Sequence, residues 1–140
     1  MIQLIVGNKG EGKTKQLLAK VNEAIKGANG NIVYLDKSSK HMYELNNKVR
    51  LINVKDYGIS NSDEFIGFVC GIISQDHDLE ELYFDSFLKL AGLKEDTDLQ
   101  PILSRLSAIS EAYNVSITIS ISVDEQAIPE EMKSSIIVSL

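Results

Sequence analysis

The chain has 140 residues, 44% of them hydrophobic and 24% charged, and a formal net charge of -6. That length suits one compact domain spanning residues 1–140, and the composition excludes a largely disordered chain and a membrane protein. The negative balance gives no global field for collecting nucleic acid and argues against it as a partner, so any affinity for phosphate has to come from local geometry.

The first apolar run, Ile2 to Val6, is shorter than a signal-peptide core or a membrane span, and a glycine-rich stretch breaks it at Gly7. A cytoplasmic location is expected, with the run as a central parallel strand covered on both faces. Beyond Gly12, Leu17, Leu18, Val21, Ala24 and Ile25 recur at three- and four-residue steps and predict an amphipathic helix that stops at Gly27 to Gly30. Asn31 to Leu35 reads as a second strand ending at Asp36, Ser38 to Lys48 as a short polar helix, and Val49 to Val54 as a third strand.

Asn61 with Glu64 resembles a capping box, and the apolar run Phe65 to Ile73 after it predicts a deeply buried helix. The single cysteine, Cys70, lies in that run; it is expected to act as a small buried hydrophobe and rules out a disulfide within the chain. Leu82 to Phe84 is a short apolar strand ending at Asp85, followed by a loop to Thr97. Thr97 and Gln100 form a second capping-box pattern, with Pro101 in the first turn and Ile102, Leu103, Leu106, Ile109 and Tyr113 on the buried face. Val115 to Val123 alternates strictly, with Ser116, Thr118, Ser120 and Ser122 on the face opposite the aliphatic residues. Ser135 to Leu140 supplies a last strand. Strands alternating with helices predict an α/β fold with a mostly parallel sheet.

The chemistry is concentrated in Gly7-Asn8-Lys9-Gly10-Glu11-Gly12-Lys13-Thr14, a full match to G-x-x-x-x-G-K-[ST] between a predicted strand and a predicted helix. Its glycines let the backbone curl so that successive N–H groups face an anion, backed by the helix dipole. Lys13 is expected to reach the β- and γ-phosphates of a nucleoside triphosphate, ATP in the first instance. The Thr14 hydroxyl is expected to ligate Mg2+. Glu11 is the discordant carboxylate in this loop and is expected to face solvent, with Lys9 offsetting it. Asp85, an acid closing a hydrophobic strand, is the candidate second magnesium ligand. It is followed by Ser86 rather than a glutamate that would activate water. His41 and His77 lie in no recognisable box and read as surface or loop residues.

The loop, the strand ending in Asp85, the alternating strand Ser116 to Ser122 and the terminal strand together resemble the RecA-like P-loop NTPases in order. That resemblance implies a three-layer fold with helices on both sides of the sheet. It also implies a carboxylate base at the end of the second strand, Asp36, and a γ-phosphate-sensing polar residue late in the penultimate strand, Ser120 or Ser122. The chain is also similar to a family of short bacterial ATP-binding proteins sometimes labelled twitching-motility-like. With arginine present only at Arg50 and Arg105, an arginine finger is expected from a protein partner or a second copy. Slow ATP hydrolysis completed by assembly is the leading expectation; a small nucleoside or metabolite kinase and a non-hydrolysing regulatory module are the alternatives. A GTPase is disfavoured because Asn46-Asn47-Lys48 lacks the aspartate of a guanine-reading segment.

Overall fold

The computed structural model describes every residue except Lys9 and Glu11, so the expectations for those two lie outside the described residues. Its strands are β1 (Ile2–Val6), β2 (Asn31–Asp36), β3 (Arg50–Asn53), β4 (Leu79–Phe84), β5 (Ser116–Ile121) and β6 (Ile136–Ser139). They form one sheet in the order β3-β2-β4-β5-β1-β6, and every pairing in it is parallel. The helices are α1 (Lys13–Gly27), α2 (Ser62–Gln75), the single turn α3 (Phe87–Leu90) and α4 (Gln100–Tyr113). Among the described residues, no helix is long and apolar enough to cross a membrane.

Strand periodicity sorts the core into two layers. Ile5, Ile32, Tyr34 and Tyr83 face α1 and pack on Leu17, Leu18, Val21 and Ile25. Their neighbours Leu4, Val33, Leu35, Leu82, Phe84, Ile117 and Ile119 face the other way, against Phe65, Ile66 and Val69 of α2 and Ile102, Leu103 and Leu106 of α4. The T-shaped pair of Phe65 and Phe84, with ring centroids 5.2 Å apart, ties α2 to the sheet. The resulting α/β, three-layer arrangement is the one the sequence resemblance implies.

Several local expectations need correction. Ser38 to Lys48 holds only a 3-10 turn, Met42–Glu44, with no buried residue. Without an apolar face it is held from outside: Asn22 of α1 donates to the Glu44 carbonyl at 2.8 Å and accepts from the Asn46 amide at 2.8 Å. The Thr97 and Gln100 capping box does not form. Thr97 Oγ1 instead accepts from the Lys94 amide at 3.1 Å, and Asp98 accepts from the Gln100 amide at 3.0 Å. Tyr113 is 60% exposed at the end of α4. The apolar run of α2 buries only Phe65, Ile66 and Val69, because α2 lies over one face of the sheet with its other side open, and Cys70 is half-buried.

Strand β5 is buried along nearly its whole length. Its polar face is covered, with Thr118 2% and Ser120 1% exposed, because α1 lies over that side of the strand. The alternation in β5 therefore separates an apolar buried face from a polar buried face, and the polar one leads to the N-terminus of α1.

Candidate functional site

Parallel register brings the strand ends into line. Tyr34 of β2 lies opposite Tyr83 of β4, and Tyr83 lies opposite Thr118 of β5. Two residues further along each chain come Asp36, Asp85 and Ser120, on the α1 side of the carboxyl ends of the strands. Open parallel sheets bind ligands at this edge.

The loop between β1 and α1 supplies the other wall. Gly10 (φ 80°) and Gly12 (φ 86°) both take left-handed backbone, which only glycine adopts without strain, and a Cβ on either would meet nothing within 4 Å. The need for glycine here is conformational, and the space beside the backbone is open. Gly7 differs: its Cβ would come within 3.0 Å of the Leu140 side chain, so the loop is braced against the end of β6. Lys13 is buried and its ammonium donates to the Asn8 carbonyl at 2.7 Å, which curls the loop over the start of α1.

Asp85 is the hub of the strand-end group. Thr14 Oγ1 donates to its Oδ1 at 3.2 Å, Ser120 Oγ donates to the same oxygen at 2.7 Å, and the Tyr34 hydroxyl donates to Oδ2 at 3.1 Å. The Ser86 amide donates to Ser120 Oγ at 3.0 Å, so Ser120 links Asp85 to the next residue of the same turn. Ser86 itself takes left-handed backbone (φ 55°), an uncommon state for a residue with a side chain and one found at sites where the surroundings over-determine the turn. Burial first, and then the negative charge of Asp85, push the Tyr34 phenol well above its ordinary pKa, so it remains a donor.

Asp36 is 1% exposed. Its Oδ1 accepts from the Lys37 amide at 2.7 Å, whereas Oδ2 is buried with no hydrogen-bond partner among the described residues. Burial, followed by the charge of Asp85, raises its pKa above the ordinary carboxylate value. Asp36, His41 and Asp85 each bring one donor atom within 4.8 Å of the others. His41 Nδ1 is engaged by Glu44 Oε2 at 2.5 Å, which leaves Nε2 as its second ring nitrogen.

These groups surround a cavity of about 870 Å³, lined by Gly10, Gly12, Lys13 and Thr14 on one side and by Lys37, Lys40, His41, Lys89 and Lys94 on the other, with Asp85, Ser120 and Ser122 at the floor. Of the residues expected at the site, the structure groups Gly10, Gly12, Lys13, Thr14, Asp85, Ser120 and Ser122 around this cavity, with Asp36 immediately behind. Gly7 and Asn8 shape the loop from outside the lining. Sequence reasoning set His41 aside as a loop residue and gave Tyr34 and four of the lysines no role. The segment Asp36-Lys37-Ser38-Ser39-Lys40-His41, dense in ionisable groups just past a strand, was the available signal.

A strand order in which β5 separates the loop-bearing β1 from the aspartate-bearing β4, with a glycine loop curled over the α1 N-terminus, defines a P-loop NTPase fold of the RecA-like type. Solved structures share it. The flagellar accessory protein FlaH from Methanocaldococcus jannaschii aligns with a TM-score of 0.56 and 12% identity over 95% of this chain and 65% of its own. The pCW3 conjugation coupling protein TcpA, in its monomer form with ATPγS, aligns with a TM-score of 0.51 and 15% identity over 96% of this chain and 46% of its own. The chain thus spans less than two thirds of either protein. No protein-family model matches the chain, and no curated protein matches it.

Proposed function

We propose that the chain binds ATP with Mg2+ in this cleft, in the cytoplasm, and hydrolyses it slowly until a protein partner or a second copy completes the site. The observation that carries this reading is the convergence of Gly10, Gly12, Lys13 and the hydroxyl-bound carboxylate of Asp85 on one cavity. Thr14 Oγ1 and Asp85 Oδ1 offer adjacent hard oxygen donors of the kind magnesium prefers, so the residues present suit that ion. When bound, the ion would offset charge on the β- and γ-phosphate oxygens. ATP is favoured because TcpA was solved with ATPγS. It is favoured also because the chain lacks a guanine-reading segment.

Ser86 follows Asp85 where a water-activating glutamate would stand, so proton acceptance falls to Asp36, whose unpartnered Oδ2 and raised proton affinity suit a base. The bonds of Ser120 to both Asp85 and the Ser86 amide support it as the residue that reports the γ-phosphate to that turn. ATP turnover measured over a protein concentration series tests the reading. A specific rate that climbs with concentration, or on addition of a partner, is expected. A fast rate independent of concentration would remove the assembly requirement, and equal turnover by Lys13→Ala would remove the site.

A second reading, a small-molecule kinase, is favoured by one observation: the cavity is lined both by the loop residues Gly10 and Gly12 and by Lys37 and Lys89, and the lysine end would be the position for an acceptor. Transfer of a labelled γ-phosphate to nucleosides or nucleotides would support it, and the absence of any labelled acceptor would retire it.

A further inference from the structure

The chain carries 20 acidic residues against 14 basic ones, yet among the described residues the cavity wall carries five lysines and two carboxylates, Asp85 and Glu95. Lys13 belongs to the loop. The other four come from separate places: Lys37 and Lys40 follow β2, Lys89 stands on α3, and Lys94 lies in the connection to α4. None of the ion pairs among the described residues uses any of these four; they join Met1 to Glu111, Lys26 to Glu23, His41 to Glu44, Arg105 to Asp63 and Lys133 to Glu130.

A solvated lysine face would spread its ammonium groups apart. Here Lys37, partly covered, meets Lys89 closely enough for their side chains to interact. Burial first and the Lys89 charge next lower the pKa of Lys37, and the nearby carboxylates of Asp36 and Asp85 do not restore it. Two neighbouring cations on the wall of one cavity are at their lowest energy with an anion between them, and oxyanions accept several such charge-assisted bonds at once.

We propose that Lys37 and Lys89, flanked by Lys40 and Lys94, form a second oxyanion position at the β2–β4 end of the cleft, separate from the cup made by the β1–α1 loop. Its ligand is a phosphate group. Two sources supply that chemistry: the γ-phosphate of a nucleotide whose α- and β-phosphates occupy the loop, or a phosphate on a second molecule. The proposal depends on the ATP reading only for what fills the loop end.

The test compares wild-type protein with Lys37→Ala/Lys89→Ala, a variant that relieves like-charge repulsion and is therefore expected to fold at least as well. ADP, ATPγS and inorganic phosphate are titrated by calorimetry, the phosphate into both the unliganded and the ADP-saturated protein. If the position takes the γ-phosphate, the double variant loses about tenfold or more of its preference for ATPγS over ADP while ADP affinity stays level. If it takes a second molecule, inorganic phosphate binds the ADP-saturated wild type and weakens by a similar factor in the variant. Phosphate affinity and the ATPγS-to-ADP ratio both unchanged in the variant would overturn the proposal. Should nucleotide fail to bind wild-type protein at all, the ATP reading falls by itself. The phosphate titration of the unliganded proteins then decides: weaker binding by the variant supports the lysine pair and equal binding sinks it.

Discussion

At the β1 end of the cleft the proposed anion position rests on the left-handed backbone of Gly10 and Gly12, whereas at the β2 end the proposed one rests on side chains, Lys37 and Lys89, carried past a strand and on a one-turn helix. Fixed dipoles at the first end need no side chain but demand left-handed φ. The second end needs only strand register and a few long cations, and it sits beside two buried carboxylates, Asp36 and Asp85. Under the proposed function, a cleft built in these two ways has a rigid pole for the triphosphate and a tunable pole for selectivity, an acceptor or a partner.

Substitutions at the two ends should separate accordingly. The largest effect is expected for Lys13→Ala, which removes a charge-assisted donor worth about 1.5–3 kcal/mol and so weakens triphosphate binding roughly 10- to 100-fold. Diphosphate binding should weaken less, because a γ-phosphate contact is absent from it; calorimetry with both ligands measures the gap, and equal losses would move Lys13 away from the γ-phosphate.

Next comes Gly12→Ala, which forces a Cβ into left-handed backbone at the start of α1 at a cost of about 1–2 kcal/mol. Because the space beside Gly12 is open, this cost is conformational. Thermal denaturation should show a lower midpoint without nucleotide, and an unchanged midpoint would mean that the loop rearranges freely.

A smaller loss is expected from Tyr34→Phe, since Asp85 Oδ2 forfeits the hydroxyl that donates to it at 3.1 Å. About 1 kcal/mol of stability should be lost by chemical denaturation. A loss no larger than that of an exposed tyrosine such as Tyr43, changed to Phe, would mean that the hydroxyl contributes nothing to holding the aspartate.

The smallest expected change has the opposite sign. Asp36 binds its proton more tightly in the folded protein than in the unfolded chain, so the fold is favoured at acid pH and stability drops as pH rises from the ordinary carboxylate pKa through the raised folded value. Asp36→Asn should therefore raise the unfolding midpoint at neutral pH, with the advantage disappearing in acid. A variant that is less stable than wild type at neutral pH would show that the Asp36 carboxylate is paired in solution.

The rigid pole was legible in the sequence because its determinants are contiguous: three glycines, a lysine and a threonine between an apolar run and a helical stripe leave little else for residues 7 to 14 to do. Strand alternation, parallel pairing and the position of Asp85 could be read for the same local reason. The tunable pole was hidden because Lys37, His41, Lys89 and Lys94 are brought to one cavity only by the crossovers of the sheet. Tyr34 looked like core and is core, yet its hydroxyl reaches Asp85 across a strand pair. Ser120 was readable as a polar residue of β5; the covering of its face by α1 depends on packing that periodicity within β5 does not encode. The polar stretch Ser38 to Lys48 was mistaken for a helix because its hydrogen-bond partner, Asn22, lies in another element.

Whether this cleft holds a nucleoside triphosphate through its phosphates and a magnesium ion is decided by titrating ATP into the wild-type protein with Mg2+ and again with a chelator, using adenosine as the control. Saturable ATP binding that weakens when the metal is withdrawn is expected, with no comparable binding of adenosine. Adenosine binding as tightly as ATP, or ATP producing no binding under either condition, would contradict the proposed function.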